Sequence, residues 1–548
     1  MPNLRPIPGS TPLAHPSGAI AHVAGVPDRE SIVTIHMTDA IHAAQVRQHA
    51  QQAGLREVSW NPAAKFFRFA GNPAALELAF GVELRGFSNG HAVYHSHSGP
   101  VYVPEHLAGK VEAVIGLDSR PIARSHHRKG GPVTDHAGSG VRPLLPIEQC
   151  KAYGVPTGLK PAMAKPPAEF IIELGGDYIH SDTQAAAAAQ HIPAANVQHK
   201  STDGIAGPSG GGLNDDATGE VHLDVQDAQV ANPYATGIAA ELILAWAQNT
   251  SAGYIGAILD GATEPGVGSV TTSWGGPEET FQAQERQQAD KGIALCQANG
   301  RSFNASAGDG GATDGTNGLT CDYPASSPSA MAICGTRLTV NGDGSYAGET
   351  VWSAQGATGG GVSAVEPRPV YQTSVAVPGN GRIVGDKACN ADPASGVLIW
   401  MGGQPTPIGG TSAGSPWYAS LDCLAEFVTG KPVGDGHPLL YAHGAEICND
   451  VTQGNNGGYS AGPGFDVPSG WGSLKVDKWL ALLQGGTVTP PVPPTPTGLT
   501  VAQFQANCLA GLAKTFAADR NHEQLLYRYA NPYFEQLSAA IVKATPVS

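Results

Sequence analysis

The chain has 548 residues, too many for one ordinary domain, and its 41% hydrophobic content is enough to bury a large core. Only 14% of residues are charged and the net charge is -15, which argues against nucleic acid as a partner. The most apolar run, residues 237–247, contains Glu241 and is too short to cross a bilayer, so no membrane span is expected.

Residues 1–20 contain Pro, Gly and Ser and predict a loose arm. Residues 30–120 read as a small α+β unit. Ser31-Ile-Val-Thr-Ile-His-Met37 and Lys65-Phe-Phe-Arg-Phe69 alternate as strands, and residues 101–104 form another. Residues 39–53, free of Gly and Pro, predict a helix, and residues 106–115 a second. Residues 125–142 are polar, basic and Gly-rich. They read as a linker and a cleavage zone, because a protease threads exposed, flexible chain. Residues 143–484 alternate apolar runs such as Phe170-Ile-Ile-Glu-Leu174 with helix-like stretches, the pattern of an α/β domain on a parallel sheet. Residues 485–498 are a Pro/Thr-rich linker. Residues 499–548 predict a helical tail, with Val501, Phe504, Leu509, Leu512 and Phe516 at helical spacing.

Charge is uneven along the chain. The first 137 residues hold 12 Lys+Arg, 10 Asp+Glu and 12 of the 19 His, so the acidity lies in the body that follows. A His-rich segment ahead of an acidic body predicts a partner that acid releases, as the His gain charge and the carboxylates lose it. The eight Cys form no CxxC pair, which excludes the usual zinc sites and leaves room for one or two bridges. The start, Met-Pro-Asn-Leu-Arg-Pro, lacks the apolar stretch of a secretory signal.

Four strings carry candidate chemistry. Gly409-Gly-Thr-Ser-Ala-Gly-Ser-Pro416 sets Ser412 after a Gly turn at a helix start, where free N–H groups favour an oxyanion; a plain N-cap Ser reads the same way. A nucleophile needs a base. Gly219-Glu-Val-His-Leu-Asp224 offers Glu220 and Asp224, which share a face if the segment is helical, although Val221, Leu223 and Val225 alternate as in a strand. His222 would point away from Glu220 on a helix. Asp309 sits on a Gly turn after the strand-like run 300–306, either a strand-end site acid or an Asp-Gly turn. Residues 450–457 and 461–466 are oxygen-rich and Gly-rich, like calcium loops or ordinary loops.

In this order the strings resemble the sedolisin family of serine-carboxyl peptidases, in its kumamolisin-like branch, over roughly residues 25–484. The resemblance rests on Ala79-Phe-Gly-Val-Glu-Leu84, Val114-Ile-Gly-Leu-Asp118, Ile172-Glu-Leu-Gly-Gly176, Gly219-Glu-Val-His-Leu-Asp224, Ser273-Trp-Gly-Gly-Pro-Glu278, Ala307-Gly-Asp309, Asp322-Tyr-Pro-Ala-Ser-Ser-Pro328, Gly359-Gly-Gly-Val-Ser363, Gly409-Gly-Thr-Ser412 and Ala461-Gly-Pro-Gly464.

It implies a subtilisin-like α/β catalytic domain over 143–484, preceded by a ferredoxin-like α+β activation prodomain over 1–124. It implies Ser412 as nucleophile, Glu220 as general base, Asp224 orienting Glu220 and Asp309 in the oxyanion hole, with Glu173 and Trp274 as a supporting network. It also implies one structural Ca2+ on Asp450, Asp466 and the carbonyls of Val451, Gly462 and Gly464.

The expected protein is an acid-acting, self-processing endopeptidase zymogen. It is expected to be secreted and monomeric, to act on proteins or peptides, and to be inhibited by its own prodomain. The segment Arg382-Ile-Val-Gly-Asp-Lys-Ala388 departs from the family pattern. Gly385 replaces a Pro and Lys387 an apolar residue, which puts local stiffness in question.

Overall fold

The strand Ser31–Met37 is followed by the helix Ala43–Gln52, the hairpin Arg56–Asn61 and Phe66–Gly71, the helix Pro73–Phe80 and, later, the strand Val111–Ile115. Ser31–Met37 lies between Phe66–Gly71 and Val111–Ile115, and Arg56–Asn61 forms the far edge. This is the antiparallel βαββαβ order of a ferredoxin-like unit. The computed structural model describes residues 4–13, 21–22, 30–88, 93–131, 141–204 and 206–485. The expected Pro/Thr linker and helical tail lie outside these residues, as does 132–140 within the expected processing linker.

Two expectations for this unit need correction. Residues 106–115 are a short turn, Glu105–Leu107, and then the strand Val111–Ile115. Gly109 at φ +74 breaks the chain between them, a conformation that Gly adopts without penalty. The N-terminal arm is not loose throughout: Leu4–Pro6 pairs with Tyr102–Pro104, and Ile7 is buried in the small core. The seven cysteines among the described residues are all buried and free.

The larger sheet is built on Ala168–Glu173. On one side it pairs in parallel with Glu241–Trp246 and then Asn196–Ser201, and on the other with Val267–Thr272, Ser302–Ser306 and Met331–Val340. Met331–Val340 also carries parallel Lys387–Asn390 and antiparallel Tyr346–Val351. The chain leaves the first strand for one edge and later builds the other. The C-terminal ends of the strands flanking that switch are where α/β proteins place their sites.

The two units share a core. Phe66, Ala113 and Ile115 of the small sheet join Ala252, Ile255 and Ile258 of the helix Ser251–Thr263 in one buried cluster. Arg68, 2% exposed, pairs with Asp260 at 3.0 Å across this contact. Gly256 makes room for it, since a Cβ there would lie 2.6 Å from the Arg68 guanidinium. Burial pushes His36 down to about 3 and lowers His49 and His97, so these three do not become readily charged in acid. Positive charge at the interface comes instead from Arg68 and from Lys291, which pairs with Glu112.

Candidate active site

The helix Thr218–Ala228 is buried at every position. Total burial explains the misleading alternation. Val221 and Val225 pack into one cluster with Ile171 and Leu244, and Leu223 into another with Ile408 and Ala413. The third face carries Glu220 and Asp224, one turn apart. His222 points elsewhere: it accepts from the Ile179 N–H and contacts the Trp400 carbonyl, so it is a structural residue.

Ser412 follows the strand Gln404–Gly409, in a short turn, Thr411–Ala413, that leads into the buried helix Gly414–Thr429. Glu173 ends its strand, and Asp309 follows the strand Ser302–Ser306. The Trp274 indole donates to Glu173 at 3.1 Å. Asp309 accepts from the Thr411 N–H at 2.8 Å and the Thr411 hydroxyl at 2.9 Å, both on Oδ1. Its Oδ2 therefore has no donor from Thr411.

The acids are buried together, and each is raised above its ordinary value. Burial raises Glu220, with Asp309 repulsion added; the Ser412 hydroxyl and the Asp224 carboxyl oppose it. Burial and then Glu220 repulsion raise Asp224, and burial with Asp224 and Glu220 repulsion raises Glu173. Burial likewise raises Asp309. Buried neighbouring carboxyls cannot all ionise, so protons are shared among them.

Residues 125–129, within the segment that the sequence reads as exposed linker, lie across this centre with Arg124 before them. Arg124–Ser125 pairs antiparallel with Trp274–Pro277, and Arg128–Lys129 with Gln404–Gly409. Between these bridges the His126 N–H donates to the Ser273 carbonyl at 3.1 Å, and the His126 carbonyl accepts from the Ser412 N–H at 3.2 Å. Gly410, at φ +106, gives that carbonyl its space: a Cβ there would collide with it and stand 2.8 Å from Asp309 Oδ2.

The His126 ring is buried and faces Asp322 at 3.0 Å, while Arg124 reaches Asp314 at 2.5 Å. Burial, with mutual repulsion, raises Asp314 to about 8, and burial raises Asp322 to about 8. On the other side His127 stands 3.3 Å from Glu220, and burial pushes it down to about 4.

Sequence reading missed Asp314, the roles of Asp322 and Ser273 beyond their motifs, and the seating of His126 and His127. No local pattern marks a segment as complementary to acids some 190 residues away.

The loops expected to hold calcium bring Asp450 and Asp466 close enough that Asp450 adds to the burial that raises Asp466 to about 6. Asp450 accepts from the Gly464 N–H at 2.9 Å, and Asp466 from the Gly462 N–H at 3.0 Å. Two adjacent carboxylates in a Gly-rich loop fit the hard-oxygen donor set of calcium. At the family departures, Gly385 has φ +112, which no Pro can adopt, and the buried Lys387 ammonium lies 3.9 Å from the Tyr418 ring centroid.

Residues 29–120 match the family model described as the Pro-kumamolisin activation domain. The chain is 36% identical over 471 residues to kumamolisin of Bacillus sp. (strain MN-32), covering 81% of this chain and 84% of that one. It is 29% identical over 470 residues to sedolisin of Pseudomonas sp. (strain 101), covering 80% and 78%. A solved structure of Pseudomonas sedolisin, a serine-carboxyl proteinase complexed with two molecules of pseudo-iodotyrostatin, is similar with a TM-score of 0.54 at 27% identity. That likeness covers 63% of this chain and 99% of the other. With its ferredoxin-like unit, its buried acids beside a helix-start serine, and this extent of identity, the chain belongs to the sedolisin family of serine-carboxyl peptidases and carries that family's activation prodomain.

Proposed function

We propose that this zymogen is an acid-acting endopeptidase whose first substrate is its own 126–127 peptide bond, within the expected linker 125–142. The observation that carries this is the His126 carbonyl on the Ser412 N–H, inside an antiparallel pairing of the kind an extended substrate makes. In this reading Ser412 Oγ bonds the His126 carbonyl carbon and its proton passes to Glu220, which Asp224 orients. The oxyanion takes the Ser412 N–H and the Asp309 hydroxyl. Glu220 then gives its proton to the His127 nitrogen as the C–N bond breaks, and water repeats the sequence on the acyl-enzyme.

Acid is required because Asp309 donates only when protonated. Its raised proton affinity keeps that donor present in acid and loses it as pH rises. The seated segment also supports a substrate preference: Asp322 faces the residue before the cut and Asp314 the residue two earlier, so side chains that hydrogen-bond to a carboxyl suit both positions. We further propose that Asp450 and Asp466, with the carbonyls of Val451, Gly462 and Gly464, hold one Ca2+ that braces the loop, and that the enzyme is secreted and monomeric.

The test is to acidify the purified precursor and record intact mass and the new N-terminus, beside Ser412→Ala. Conversion in the wild type alone, with a product beginning at His127, is the expected result. Conversion of Ser412→Ala would sink the catalytic assignment, and a product beginning elsewhere would sink the cleavage point. Chelation should lower the melting temperature, and calcium should restore it; an unchanged melting curve would remove the metal.

A further inference from the structure

Behind the acid pair lies a line of three buried hydroxyls. The Ser273 hydroxyl donates to Asp224 Oδ1 at 2.8 Å. Ser273 Oγ is 3.0 Å from Ser415 Oγ, which is 2.8 Å from Ser306 Oγ. All three residues are buried, on three different elements: the turn after Val267–Thr272, the helix Gly414–Thr429 and the end of Ser302–Ser306. A hydroxyl has one proton to donate. Ser273 gives its proton to Asp224, so Ser415 must donate to Ser273, and Ser306 must then donate to Ser415. The line has one direction, and it ends on Oδ1.

The other Asp224 oxygen, Oδ2, and Glu220 Oε1 are buried and have no hydroxyl or N–H partner. The two carboxyls stand one turn apart on the same buried helix and act on each other's proton affinity, so a proton shared between them would satisfy both oxygens. We propose that Ser273, backed by Ser415 and Ser306, is a positioning residue that saturates Asp224 Oδ1. The proton of Asp224 is thereby confined to Oδ2, aimed at Glu220, and Glu220 stays free to receive the Ser412 proton. This rests on the assignment of Glu220 as base made above.

The groups facing Asp224 leave the hydroxyl line as its main source of positive dipole. Glu220 and Asp227 lie on its own helix, and Glu173 and Glu169 come from the strand Ala168–Glu173; all are acids. Aligned hydroxyls in a dry site polarise one another, so each link strengthens the next. The same Ser273 holds the His126 N–H through its carbonyl, so one residue touches both the seated chain and the acid pair.

The experiment follows the first-order conversion of the full-length precursor from about pH 2.5 to about pH 6.5, where the limbs report the essential acid and base. Ser273→Ala keeps the carbonyl contact and removes the hydroxyl. The rate should fall about tenfold, and the acid limb should move up by about one pH unit, because Glu220 loses the proton donated by Asp224 and binds its own more tightly. Ser273→Thr should restore both. Ser415→Ala should shift the limb the same way by less.

A lower rate with unmoved limbs in Ser273→Ala would mean a merely structural role and would overturn the proposal. If Ser273→Ala does not fold, Ser415→Ala decides, and an unmoved limb there is the overturning result. Conversion by Ser412→Ala, run alongside, would instead mark failure of the catalytic assignment itself.

Discussion

The carbonyl oxygen of His126 accepts a hydrogen bond from the backbone N–H of Ser412 at 3.2 Å, so the chain rests a peptide bond of its own on its proposed nucleophile. The room for that carbonyl comes from the missing side chain at Gly410. Gly410→Ala should therefore slow processing at least about a hundredfold, the scale of losing an oxyanion donor. A precursor mass time course in acid measures this, with a thermal melt to show that the variant folds. A normal rate would mean that the carbonyl binds elsewhere.

Asp309→Asn separates acid dependence from catalysis. Asn can keep an oxygen for Thr411 and present an N–H in place of Oδ2 without needing a proton. Burial raises the Asp309 carboxyl, so the wild-type donor exists below that raised value and disappears above it. The variant should retain activity towards neutral pH, where the wild type declines, with the base-dependent limb unmoved. A pH–rate profile identical to wild type would remove Asp309 from the oxyanion hole.

Arg68→Met tests what holds the prodomain. It leaves Asp260 without its cation in a nearly dry contact, a loss of about 3 kcal/mol, or about a hundredfold in dissociation. After processing, the prodomain should elute separately from the body at a pH where the wild-type halves still co-elute. Persistent co-elution would locate the grip in the apolar contact alone.

The buried cluster around Asp386 should keep most of its stabilising effect in moderate acid. Burial alone would raise Asp386, but Arg382 and His437 outweigh it and hold the carboxyl well below its usual range. Stability from a depressed carboxyl is fully present above the unfolded value near 4 and is lost progressively as pH falls from there through the lower folded one. Asp386→Asn should thus lower stability by about 3–5 kcal/mol at neutral pH and by about 1 kcal/mol less at about pH 3, where the unfolded carboxyl already holds a proton. A penalty confined to neutral pH, read from melts at both, would contradict this.

The parts of this molecule that can be read from its sequence are those where a local pattern and its environment agree. Ser31–Met37 and Ala168–Glu173 are strands in sequence and in space. The helix of Glu220 is not legible from its residues alone, because burial on every side erases the polar stripe that marks a helix; only the family resemblance indicates it. Residues 106–115 fail for the opposite reason. Leu107, Val111, Val114 and Ile115 are spaced as on a helix, but they belong to a turn and to a strand whose Val114 pairs with Ile35. The seating of His126 depends on Asp314, Asp322 and Ser412 meeting at one place, and proximity of that kind is a property of the sheet.

The shared core gives the first cut a direction in time. While the chain is intact, the face of Phe66, Ala113 and Ile115 meets the helix Ser251–Thr263 at the high effective concentration that a short tether imposes. Hydrolysis at 126–127 would remove that tether and make the same contact an encounter between two molecules, weakened by every dilution. Activation would then act as a one-way clock: release into a large volume, with no further chemistry, is enough to keep the prodomain from returning.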